Sequence, residues 1–155
     1  MKYSIEINGL NETEKLARTL ADNMEMGTVI LLSGDLGTGK TTFTQFLGRS
    51  LGVRRRMSSP TFNIIKTYRG DHTIHHMDCY RLEDSDEDLG FDEYFNGEDI
   101  AIVEWPQFIE DFLPDEHLSI HITVAGEDAR VFKFTSSGMK YTKILEALEH
   151  DFSSD

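Results

Sequence analysis

The sequence predicts an α/β domain of three layers, with a mostly parallel sheet and an antiparallel hairpin portion. Three observations predict it. Two unbroken apolar runs, 28–33 (TVILLS) and 100–103 (IAIV), suit strands buried on both faces of a parallel sheet. Segments of helical period separate runs of strand character. Two further strand-like segments, 118–124 and 130–135, flank Gly126 and read as a hairpin.

Residues 3–7 alternate like a strand. Asn11 is the expected N-cap of a first helix, with Glu14 three residues on as a variant capping box. Leu16, Ala17, Leu20, Ala21 and Met24 recur at helical spacing, and Gly27 closes the element. The strand at 28–33 follows, then a helix over 41–51 stopped by Gly52. Ser58-Ser59-Pro60 is a turn. Residues 62–68 and 73–77 read as strands joined at Gly70-Asp71. The acidic stretch 83–88 is a loop, with a short helix near 89–95. The strand at 100–103 precedes a short helix at 107–112 that Pro114 ends. After the hairpin, 139–148 is an amphipathic helix. The expected organisation is one domain over 1–149, with 150–155 a disordered tail; a chain of 155 residues leaves little room for a second domain.

Gly34-Asp35-Leu36-Gly37-Thr38-Gly39-Lys40-Thr41 fits G-x-x-x-x-G-K-[ST] without a gap. Glycines permit the backbone conformations that aim successive N–H groups at one anion. Lys40 carries a flexible point charge to the β- and γ-phosphates. The Thr41 hydroxyl can ligate magnesium, and the helix that follows turns its N-terminal end to the same anion. Strand before and helix after are the context the motif requires, so the chain is expected to bind a magnesium-nucleoside triphosphate.

Such a loop needs a carboxylate near the metal. Asp78 and Glu104 each end an apolar strand, where an α/β sheet exposes side chains to its crevice. Either could hold magnesium through a water or orient an attacking water. His75 and His76, adjacent on a strand, point to opposite faces and cannot chelate from one side; one partly buried and one exposed is the expectation. Trp105 is a core or rim aromatic, or an exposed anchor for a partner. Thr61 has the placement of a γ-phosphate sensor in a switch-like loop, or caps a simple turn. Arg81 either supports transition-state charge or pairs with the acidic loop. Arg54-Arg55-Arg56 is a solvated turn, or a local anion or partner contact.

Several segments together resemble TsaE, the small ATPase family of bacterial tRNA threonylcarbamoyladenosine biosynthesis. They are GDLGTGKTTFTQ at 34–45, SSPTF at 58–62, HMDCYRL at 76–82, DLGFDEYF at 88–95 and VEWP at 103–106. The phosphate loop alone is not specific to that family; the combination is. The resemblance implies ATP, magnesium and a low intrinsic ATPase. It implies TsaB-like and TsaD-like partners, which transfer the threonylcarbamoyl group to adenosine 37 of tRNA while this subunit regulates or resets the transferase. Carried over residue by residue, Asp35, Leu36, Gly37, Thr38, Gly39, Lys40, Thr41 and Thr42 bind the nucleotide. Thr41 and Glu104 hold magnesium, Lys40, Asp78 and Glu104 are catalytic, and Thr13 lies near the adenine. Gln107 stands where family members often carry an acid.

The net charge of −13 opposes direct contact with a phosphate backbone, so tRNA is expected only through a complex. A single cysteine, Cys79, excludes an internal disulfide and a cysteine zinc cluster. No apolar run nears the roughly 18 residues of a membrane span, and the opening MKYSIEINGL lacks the apolar core of a signal peptide. A cytoplasmic protein is expected. The alternative reading is a small P-loop kinase of a free metabolite, for which 54–56 is the sole candidate lid. A GTPase would need N-K-x-D, which is absent. A scaffold that binds ATP without turnover is the remaining reading.

Overall fold

The structure, a computed structural model, describes residues 1–35, 37–58, 64–82 and 90–153. The described residues include three α-helices: α1 (Gly9–Asn23), α2 (Lys40–Ser50) and α3 (Met139–Ser153). The strands are β1 (Lys2–Asn8), β2 (Val29–Ser33), β3 (Ile65–Arg69), β4 (Thr73–Asp78), β5 (Ile100–Glu104), β6 (His117–Val124) and β7 (Ala129–Ser137). They form one sheet in the order β1-β7-β6-β2-β5-β4-β3. The central pairings β6·β2, β2·β5 and β5·β4 are parallel; β1·β7, β7·β6 and β4·β3 are antiparallel. Five strands therefore run one way, and only β3 and β7 run against them. The antiparallel part is larger than the expected hairpin, because β1 adds to β7 and β3 to β4.

The two faces of the central strands sort by alternation. Ile30, Leu32, Ile74, Ile100, Ile102 and Ile120 pack under α1, α2 and α3. Val29, Leu31, Met77, Ala101 and Val103 face the other way, beneath Leu82, Phe91 and Ile109. Those covering residues lie on short 3-10 turns, Tyr80–Leu82, Phe91–Glu93 and Pro106–Phe112. The expected helix near 89–95 is thus one turn of tighter pitch at Phe91–Glu93, that at 107–112 is two short 3-10 pieces meeting at a kink at Ile109, and the third layer is thin.

Three expectations need correction. The N-cap of α1 is Asn8, not Asn11, and the Asn8 N–H donates to Glu12 Oε1 at 3.0 Å. Strand β3 begins at Ile65; the part of 62–68 at 62–63 lies outside the described residues. The tail expected from 150 is helical through Ser153. Phe152 packs on the core beside the Lys15 ammonium at 4.7 Å, and Asp151 accepts from Asn23 Nδ2 at 3.1 Å. Among the described residues no helix is long and apolar enough to cross a membrane.

Candidate nucleotide site

Strands β2, β4 and β5 end at one edge of the sheet, the edge where parallel α/β sheets collect ligands. The register places Leu32 beside Glu104, and Glu104 beside Asp78. The loop 34–39 leaves β2 at that edge and turns into α2. Gly34 is needed there: a Cβ on it would stand 2.6 Å from the Ile122 carbonyl oxygen of β6, at φ +150°. Gly39 takes φ +99°, a left-handed value that opens the helix, and its carbonyl accepts the Phe43 N–H at 2.9 Å. Between them Thr38 Oγ1 donates to the Asp35 carbonyl at 2.8 Å.

A cleft of about 600 Å³ lies over this edge. Gly37, Thr38, Gly39, Lys40, Thr41 and Thr42 line it, together with Asp78, Glu104, Trp105 and Thr13. Leu36 and Thr61 lie outside the described residues, as does the acidic stretch 83–88. Asp35 is exposed at the start of the loop. Arg81 is exposed on its turn and is not among the residues lining the cleft.

Lys40 is only 7% exposed. Its ammonium stands 4.6 Å over the Trp105 ring and 3.9 Å from Glu104 Oε1. Trp105 is half-buried at the rim, stacked on Phe108 and tilted against the exposed Tyr80. It is the one non-glycine residue with positive φ among those described, at 57°. Strained backbone of this kind persists where the surroundings fix it, commonly at binding sites.

Glu104 is buried, and its Oε2 meets His76 Nε2 at 2.6 Å. Both histidines are buried, which corrects the expectation of one exposed. His75, on the opposite face, is held between Asp99 Oδ2 at 2.8 Å and Thr67 Oγ1 at 2.9 Å. Burial pushes the Asp78 carboxyl above its ordinary value; the Tyr80 N–H at 3.2 Å draws it back, and the Glu104 charge raises it again. The native state therefore holds this proton more tightly than the unfolded chain. The ionised group's unfavourable contribution is present at neutral pH and is relieved as pH falls through the folded-state pKa. D78N should thus melt above the parent at pH 7, with the difference closing as pH approaches the ordinary 3.8. Thermal melts across pH check this; equal melting at pH 7 would contradict it.

Sequence reasoning missed Arg130. Its Nε donates to the Thr38 carbonyl at 3.1 Å, and its Nη1 to those of Ala129, Gly126 and Glu127 at 3.0, 3.4 and 3.5 Å. The turn it braces also accepts the Gly9 N–H at the Asp128 carbonyl, 2.9 Å. Gly9, Leu10, Asp128, Arg130 and Phe132 complete the cleft lining. One signal existed, an Arg just past a hairpin turn, but no spacing linked it to the loop.

The family model for "Threonylcarbamoyl adenosine biosynthesis protein TsaE" matches residues 7–132, which span both the phosphate loop and this brace. The chain belongs to the TsaE family. TsaE of Bacillus subtilis (strain 168) is 48% identical over 142 residues, covering 90% of either chain. TsaE of Rickettsia felis is 36% identical over 129 residues, 81% of this chain and 75% of its own. The crystal structure of Bacillus subtilis YdiB superposes with a TM-score of 0.84 at 38% identity, covering 97% of this chain and 96% of that one. The match to the TsaE model stops at β7, so α3 lies outside it.

Proposed function

We propose that this TsaE-family chain binds ATP with magnesium in the cleft and hydrolyses it slowly. It serves threonylcarbamoyl transfer to adenosine 37 of tRNA beside TsaB-like and TsaD-like proteins, whose transferase it regulates or resets. The observation that carries the reading is the phosphate loop opening onto the strand edge where Glu104 and Asp78 stand side by side.

In this reading the loop from Asp35 to Gly39, with the first turn of α2 through Thr42, gathers the phosphates. The Lys40 ammonium leaves Trp105 for the β- and γ-phosphate oxygens, and Thr13 lies toward the adenine. Thr41 and Glu104 are hard oxygen donors and suit magnesium. Among the described residues no cluster of three or more His, Cys, Asp or Glu could hold a cation alone. That fits an ion that keeps waters and takes phosphate oxygens as ligands. Bound there, magnesium would supply charge neutralisation across the phosphates. Asp78 orients the attacking water. Trp105, with Thr61 and Arg81, belongs to the part that answers to nucleotide state or partner. A net charge of −13 suits docking on protein rather than RNA, in the cytoplasm.

Phosphate release, measured for the chain alone and with the TsaB–TsaD pair, tests the proposal. Among the described residues lining the cleft, Arg130 carries the sole guanidinium, and it donates to four backbone carbonyls. A stabilising arginine is worth about 10³–10⁵ in rate in related chemistry. Slow turnover alone and faster turnover with the pair are expected. Fast turnover by the isolated chain, or none with the pair, would overturn the reading.

A further inference from the structure

We propose that His76 is a positioning residue that fixes the Glu104 carboxylate, committing one oxygen so that the other faces the cleft. The inference rests on the reading of Glu104 as the magnesium acid. Its basis is geometric. In the β4·β5 ladder His76 pairs with Ile102, one step behind the Asp78–Glu104 pair and on the same face. His76 is 1% exposed and Glu104 4%. At 2.6 Å a proton must lie between His76 Nε2 and Glu104 Oε2. His76 Nδ1 is buried with no partner among the described residues. Orphaned buried N–H groups are rarer than under-satisfied buried acceptors, so the unpaired nitrogen is the one without a hydrogen. The proton therefore sits on Nε2 and is donated to the carboxylate, with Nδ1 unprotonated.

The final torsion of a glutamate is broad, so a lone carboxylate in this position would rotate. His76 removes that freedom. Oε2 is taken, and Oε1 is turned toward Lys40 at 3.9 Å and the cleft. The neighbouring His75 cannot substitute, because it faces the other side of the sheet and both its nitrogens are engaged. Groups that orient a metal-binding side chain in this way are typically worth about 10–100-fold in metal affinity.

The test compares the parent, H76L, H76Q and E104Q. ATP binding is measured by calorimetry across a magnesium series and in chelator, with thermal melts to verify folding. H76L should need about 10–100-fold more magnesium for half-maximal binding, with affinity for metal-free ATP little changed. H76Q keeps a donor near Nε2 and should lie nearer the parent. A second readout needs neither metal nor nucleotide: 15N NMR of the imidazole in the metal-free parent should show the proton on Nε2. Three results would overturn the proposal: an unchanged magnesium requirement in H76L while that of E104Q rises, equal loss in H76L and H76Q, or a proton on Nδ1. If E104Q also leaves the magnesium requirement unchanged, the assignment of Glu104 falls with it.

Discussion

Lys40→Ala should weaken ATP binding by roughly 10- to 150-fold, the equivalent of about 1.5–3 kcal/mol for a hydrogen bond to a charged group. The lysine opens α2 and reaches into the cleft from a buried position; among the described lining residues the other cation is Arg130, whose guanidinium donates to backbone carbonyls. The fold is affected as well. Lys40 is covered by the Trp105 ring and stands near Glu104. Losing an ammonium from an aromatic face costs about 0.5–1 kcal/mol, which lowers the melting temperature of a domain this size by about 1–4 °C. Calorimetric titration with Mg-ATP and a thermal melt separate the two effects. Unchanged affinity would remove Lys40 from the phosphate site.

Phe43→Ala should be the more damaging change to the fold. Phe43 is fully buried on α2, one turn beyond the loop, with its ring 5.2 Å from that of Phe132 on β7. Truncating a buried phenylalanine costs about 3–5 kcal/mol through lost transfer energy and the cavity left behind. At roughly 2–4 °C per kcal/mol this is a fall of about 6–20 °C in melting temperature. Phe132 also lines the cleft, so the cavity opens beside it. Saturating Mg-ATP should accordingly raise the melting temperature of the variant less than that of the parent. A loss below about 1 kcal/mol would mean that α2 resettles onto the sheet, contrary to the tight packing of interiors.

What the sequence revealed of this molecule follows from how local each signal is. β2 and β5 were legible because burial on both faces leaves no polar residue to interrupt the run. The phosphate loop was legible because its parts are contiguous and each glycine has a steric reason. The start of α1 was misjudged because Gly9 is a poor helix former. Nothing in the one-dimensional pattern shows that the Glu12 side chain folds back onto the Asn8 N–H. The end of α3 was cut short because His150 and Asp151 look like a polar tail, while Phe152 keeps the helical spacing from Leu145 and Leu148. β1 was foreseen as a strand, but its pairing with β7 joins opposite ends of the chain. The same distance hid the site's supports. Asp78 and Glu104 announce themselves at strand ends; His76 and Arg130 acquire meaning only when the ladder and the hairpin bring them to their partners.

Arg130 meets Thr38 across 92 positions of chain. On the ribosome the phosphate loop therefore emerges well before the hairpin that steadies it, and β1 waits longer still for β7. A nascent chain halted short of the hairpin would carry the recognisable motif without its brace and without the cleft lining that Asp128, Arg130 and Phe132 supply. The cleft is thus completed late in synthesis, once β7 has closed the gap between the two ends of the polypeptide.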